Sequence, residues 1–137
     1  MKQRLYIVWS GDNDLGVPII DEQHKGIVSL INSFYYCLQE GHEDEIMAPT
    51  LEMLLQYTIV HFRTEQRLME RAGYPGLHQH IRLHEALTGE TRRIVQETPA
   101  RQDADQVLRF LKDWWLGHIN TEDRKYAPYL LKAEEAE

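Results

Sequence analysis

Apolar positions recur along this chain every three or four residues, the period of helices that bury one face. The first stripe takes His24, Ile27, Val28, Ile31, Phe34, Tyr35 and Leu38; an arm ending near Pro18 precedes it and Gly41 closes it. A second runs through Leu51, Leu54, Leu55, Thr58, His61, Phe62, Glu65, Leu68 and Met69 and meets Gly73 and Pro75, a stop signal. The third takes Leu77, His80, Ile81, His84, Leu87, Thr91, Ile94 and Val95, with Pro99 expected to end it. The fourth takes Ala104, Val107, Leu108, Leu111, Trp115, His118, Ile119 and Tyr126, and Pro128 is expected to kink or end it. No segment reads as a strand. Helices of about 20 residues with short connections force neighbours to run antiparallel. The expected fold is all-α, an antiparallel up-down-up-down four-helix bundle with an N-terminal arm.

Length and composition narrow the class. The 137 residues suit one domain, with residues 1–18 as the arm and 132–137 as a solvated tail. Hydrophobic residues at 42% and charged residues at 27% exclude a disordered chain. The apolar run Leu5 to Trp9 is too short for a signal peptide or a bilayer span, so a cytoplasmic protein is expected, without a membrane partner. A net charge of -7 removes the electrostatic basis for nucleic-acid binding. Cys37 is the only cysteine, so one chain cannot form a disulfide or a thiolate cluster, and any metal must use nitrogen and oxygen ligands.

The candidate chemistry lies on the inward stripes, where histidine and carboxylate stand in place of Leu. Each buried polar group costs free energy unless it is partnered. A lone histidine of this kind is ordinarily bonded to a backbone carbonyl. Here His24, His61, Glu65, His80, His84 and His118 fall at comparable heights when alternate helices run in opposite directions, so they meet in one layer. His61 with Glu65, and His80 with His84, are four residues apart and share a helix face, a spacing that lets a pair grip one ion. Zincin chemistry needs Glu directly after the first His, and Ile81 follows His80, so that reading fails. Asp123 is five residues from His118, about 140° around an ideal helix. Either its side chain leans inward or a π-type bulge re-aims it. His42 and His78 read as surface residues.

These residues fall in a known order. Trp9, Gly16-Val17, Ile20-Asp21-Glu22-Gln23-His24, His61-Phe62-Arg63-Thr64-Glu65, Gly73-Tyr74-Pro75, His80-Ile81-Arg82-Leu83-His84 and His118-Ile119-Asn120-Thr121-Glu122-Asp123 together resemble the bacterial hemerythrins, over nearly the whole chain. The resemblance implies two iron ions without haem. His80, His84 and His118 would hold one and His24 and His61 the other, with Glu65 and Asp123 bridging both beside an oxo or hydroxo group from solvent. Two octahedral irons so ligated keep a single vacancy, on the iron with two histidines, which suits end-on binding of one small ligand.

The implied function is reversible dioxygen binding for storage, transport or delivery, with dioxygen as the ligand and the protein partner unknown. Phe62, Trp115 and Ile119 would line the oxygen pocket, and Trp115 stands where the family usually has Leu. Carboxylate-rich di-iron enzymes carry Glu-x-x-His on two helices, and this chain has no such tetrapeptide. The alternatives are a di-iron redox enzyme acting on peroxide, nitric oxide or iron, and an oxygen or redox sensor working through a partner.

Overall fold

The computed structural model describes residues 5–41, 43–101 and 104–135. Helices α1 (Pro18–Gln39), α2 (Glu43–Ala72) and α3 (Leu77–Arg101) form three antiparallel rods. The fourth rod is α4 (Ala104–Gly117), a π turn (His118–Glu122) and α5 (Asp123–Glu135) in succession. Among the described residues there is no strand, and the architecture is a four-helix bundle.

Local chemistry sets the ends. Pro18 opens α1, where its missing N–H would have no intrahelical partner and its fixed φ suits the helix. Gly73 ends α2 at φ 70°, while the Tyr74 N–H returns to the Met69 carbonyl at 3.0 Å and the Gly73 N–H to that of Glu70 at 3.1 Å. These two bonds make a Schellman stop, which needs a left-handed residue that glycine supplies without a Cβ penalty.

Two boundaries differ from the sequence expectation, near Pro49 and Pro99, and of the two readings of Pro128 the helix end is the one that does not occur. Helix α2 begins at Glu43 rather than near Leu51 and carries Pro49 inside it. Helix α3 continues past Pro99 to Arg101, and α5 passes through Pro128 to Glu135. A proline forfeits one i→i−4 bond and crowds the preceding turn. Near a helix end, as at Pro49 and Pro99, few further bonds depend on the lost one. Pro128 is exposed, where water can satisfy the carbonyl it leaves free.

The core divides along the bundle axis. One apolar cluster includes Ile27, Ile31, Phe34, Leu51, Leu54, Leu108, Leu111 and Trp115; the other includes Leu15, Val17, Ile20, Met69, Tyr126 and Leu130. His24, His61, Glu65, His118 and Asp123 fall between them in the order of their helices, so a polar layer is sealed at both ends by hydrocarbon. The arm packs alongside α1. The Asn32 carboxamide accepts from the N–H groups of Tyr6 and Ile7 at 3.0 and 2.8 Å and donates to the Ile7 carbonyl at 2.9 Å. Among the described residues no helix is long and apolar enough to cross a membrane.

Candidate metal centre

Helix geometry first delivers the pairs. His61 and Glu65 lie one turn apart on α2, with Nε2 and Oε1 at 2.9 Å. His80 and His84 lie one turn apart on α3, their rings perpendicular with centroids 4.5 Å apart. The fourth rod needs a distortion. The N–H of Asp123 bonds the His118 carbonyl, five residues back, and this wider turn brings the two side chains onto one face with Nε2 and Oδ1 at 2.9 Å. Of the two possibilities left open for Asp123, the bulge is the one present.

The seven side chains then meet. Glu65, His80, His84, His118 and Asp123 place one ligand atom each within 4.8 Å of one another, and so do His24, His61, Glu65 and Asp123. Both carboxylates belong to both groups. None of the seven is more than 5% exposed, so water cannot serve as the general partner. Asp123 faces His24 at 2.9 Å and His80 at 3.0 Å, while Glu65 faces His84 at 3.5 Å.

These separations look like hydrogen bonds, but the orientations do not form them. Nε2 of all five histidines, Oε1 of Glu65 and both oxygens of Asp123 are buried without a hydrogen-bond partner. The same atoms crowd together, each group of ligand atoms lying within 4.8 Å of one another. Leaving so many groups unsatisfied costs roughly 1–3 kcal/mol apiece, which no bundle of this size sustains without compensation. A bound cation would supply that compensation, and a nitrogen and oxygen donor set suits iron.

The charges agree. Burial pushes the Glu65 carboxyl up and neighbouring Asp123 adds to this, but the imidazoles, chiefly His61, outweigh both and hold it at about 2. Burial opposes ionisation of Asp123 as well, and His118, His24 and His80 hold it well below the usual range. Burial lowers His84, whereas at His118 the Asp123 charge overcomes burial and raises it. Two adjacent carboxylates therefore sit ionised in the core, where positive charge is required.

Sequence reasoning assigned no role to the residues that orient this layer. Nδ1 of His61 meets Gln23 Oε1 at 2.7 Å, and Gln23 in turn donates to Thr64 Oγ1 at 3.2 Å. The Gln66 carboxamide lies 2.9 Å from His84 Nδ1. The Tyr126 hydroxyl donates to Glu65 Oε2, and burial, with the Glu65 charge, raises its pKa well above the ordinary value. Their signal was position alone: Gln23 and Gln66 adjoin His24 and Glu65 in the chain, and Tyr126 lies on the fourth stripe.

One wall of the layer is aromatic. Phe62 stacks on His84 with centroids 3.7 Å apart and lies 5.7 Å from Trp115. The Trp115 ring is 6.1 Å from His61 and 6.5 Å from His118, fully buried, and its indole N–H has no partner. The side chain of Ile119 lies outside the described part of the structure, as does His42; His78 is exposed.

Residues 15–130 match the model of the hemerythrin HHE cation binding domain. Bacteriohemerythrin of Pseudomonas aeruginosa (strain LESB58) is 34% identical over 122 residues, covering 88% of this chain and 79% of that protein. Bacteriohemerythrin of Methylococcus capsulatus is 30% identical over 119 residues, covering 83% and 88%. Among solved structures, wild-type hemerythrin superposes with a TM-score of 0.77 at 29% identity, covering 91% of this chain and 98% of that one. A buried imidazole and carboxylate layer able to hold metal, in a four-helix bundle with these relatives, places the chain in the hemerythrin family.

Proposed function

We propose that this protein binds dioxygen reversibly at a non-haem di-iron centre, as a carrier rather than an enzyme. The observation that supports this most is the sharing of Glu65 and Asp123 between two otherwise separate donor groups. His80, His84 and His118 would hold one iron, His24 and His61 the other, with both carboxylates and an oxo or hydroxo group bridging them. When bound, the iron pair supplies reversible ferrous to ferric chemistry and one open position for the ligand.

The chain's own residues do the rest. Glu65 and Asp123 bring two negative charges that offset part of the charge on the metal. With Nε2 committed to metal, His61 carries its proton on Nδ1 and gives it to Gln23, which fixes the tautomer and orients the ring. The Gln66 carboxamide does the same for His84 when its oxygen faces Nδ1. Tyr126 holds the second oxygen of Glu65. Phe62, Trp115 and Ile119 are assigned to the pocket wall, whose hydrocarbon excludes water and slows oxidation of the reduced centre.

Elemental analysis should return two irons per chain. Reduced protein exposed to air should develop a charge-transfer band that disappears when oxygen is removed and returns when it is readmitted. Irreversible conversion to a ferric spectrum on first exposure would overturn the carrier reading.

A further inference from the structure

The π turn that aims Asp123 is gripped from outside by the N-terminal arm, and we propose that this grip is a positioning latch for the metal layer. Asn13 and the Asp12 carbonyl, holding Asn120 and Arg124, keep residues 118–122 in the π form. The proposal rests on the metal reading above, but its central contact is observable without metal.

A π turn is rare because its i→i+5 bonding is looser than the α pattern. Relaxed to an α-helix, this segment would swing Asp123 about 140° from His118. Asp123 would then lose His24, His80 and His118 together. Contacts from elsewhere in the chain must therefore favour the wider turn. Inside the bundle the three imidazoles face Asp123. Outside, Asn13 Nδ2 donates to Asn120 Oδ1 at 3.0 Å, and Arg124 Nη2 donates to the Asp12 carbonyl. Asn120 lies within the π turn and Arg124 directly follows Asp123, so the two contacts bracket the carboxylate that both proposed metals would share.

The arm is built to hold rather than to drape. Gly11–Asn13 form a 3-10 turn in which the Asn13 N–H bonds the Ser10 carbonyl at 2.9 Å. The Ser10 N–H donates to Asn13 Oδ1 at 3.0 Å, so that oxygen is occupied and the amide nitrogen is left to reach Asn120. A carboxamide is both donor and acceptor, which this double duty requires. Downstream, the N–H groups of Leu15 and Gly16 donate to the Asp21 carboxylate at 2.8 and 3.1 Å. Upstream, Trp9 Nε1 donates to Asp14 Oδ1 at 2.9 Å. Asp21 sits in the first turn of α1, directly before the turn that carries His24. The arm thus joins outside the bundle the same two elements that His24 and Asp123 join inside it. Trp9, whose ring also lies 6.3 Å from that of His24, and Gly16 belong to this strap.

The test compares the full-length iron-loaded protein with Asn13→Ala, Asn120→Ala and the double variant. Each single change should speed iron release to a chelator about tenfold, the size expected from one lost hydrogen bond and a freed turn. The melting temperature of the metal-free protein should barely move, which separates positioning from general stability. The double variant should be no faster than either single one, since both remove the same bond. Asn13→Asp should restore the parent rate, because it still accepts from Ser10 and can accept from a turned Asn120 amide. Arg124→Met removes the second contact and should act in the same direction. In metal-free protein, amide exchange at residues 118–123 should accelerate in Asn13→Ala while that of α2 and α3 does not. Parent-like release and exchange, or additive effects in the double variant, would overturn the latch even with two irons bound. A protein that binds no iron would overturn the metal reading, and the exchange measurement would still decide the latch.

Discussion

The two halves of the polar layer share Glu65 and Asp123 but differ in everything else. On one side His80, His84 and His118 crowd together, with ring centroids 4.5 to 5.3 Å apart. Three imidazoles there would leave little of a bound metal's surface unclaimed. On the other side His24 and His61 stand alone, 4.7 Å apart. Phe62 closes over the crowded half by stacking on His84, while Trp115 lies near a ring from each half. The difference teaches that the shared carboxylates cannot set the two halves apart, whereas the number of imidazoles does. On the function proposed above, the half with fewer imidazoles would be the one that keeps a position for a small ligand.

Removing what the halves share should have the largest effect. Glu65→Ala should lose most of both metals and lower the melting temperature by about 10 °C or more, since it strips several buried imidazoles of their anion. Iron analysis with calorimetry checks this, and a variant retaining two irons would show that Glu65 is no bridge. Next come changes confined to one half. His24→Ala should retain close to one iron per chain, in the three-histidine half, whereas His84→Ala should lose the tighter site first. Equal losses from both variants would mean that the halves bind as one unit.

Acid tests the carboxylates directly in the metal-free protein. Glu65 is held at about 2, below the ordinary value of 4.5, so the fold favours its ionised form. That contribution is present above pH 4.5 and is lost as pH falls toward 2. Glu65→Gln should flatten the acid limb of the melting temperature over this window. An unchanged limb would place the acid sensitivity elsewhere. The smallest effect is kinetic and bears on the half with two imidazoles. Trp115→Leu should bind two irons normally but take up azide and dioxygen several-fold faster, because the smaller side chain opens the wall between Phe62 and His61. Stopped-flow traces identical to the parent would show that Trp115 only packs.

Much of this was legible in the chain itself. Four apolar stripes specify four helices, and polar residues on a buried face stand out because they violate the pattern that surrounds them. Each of His24, His61, Glu65, His80, His84 and His118 could be named that way, since a period of 3.6 residues fixes which side chains share a face. What the helix period cannot express was decided by tertiary structure. Whether a helix survives Pro49, Pro99 or Pro128 depends on its surroundings, so the start of α2 and the end of α3 were misplaced. The tautomers of His61 and His84 depend on Gln23 and Gln66 of other helices, or of other turns, meeting them in space. Asp123 is the sharpest case. Its direction follows from a π turn supported by Asn13 and Asp12, more than 100 residues away in sequence, and by three imidazoles from three rods. Local order in the chain sets the face on which a residue lies, but a departure from regular geometry is stabilised only by partners that folding brings together.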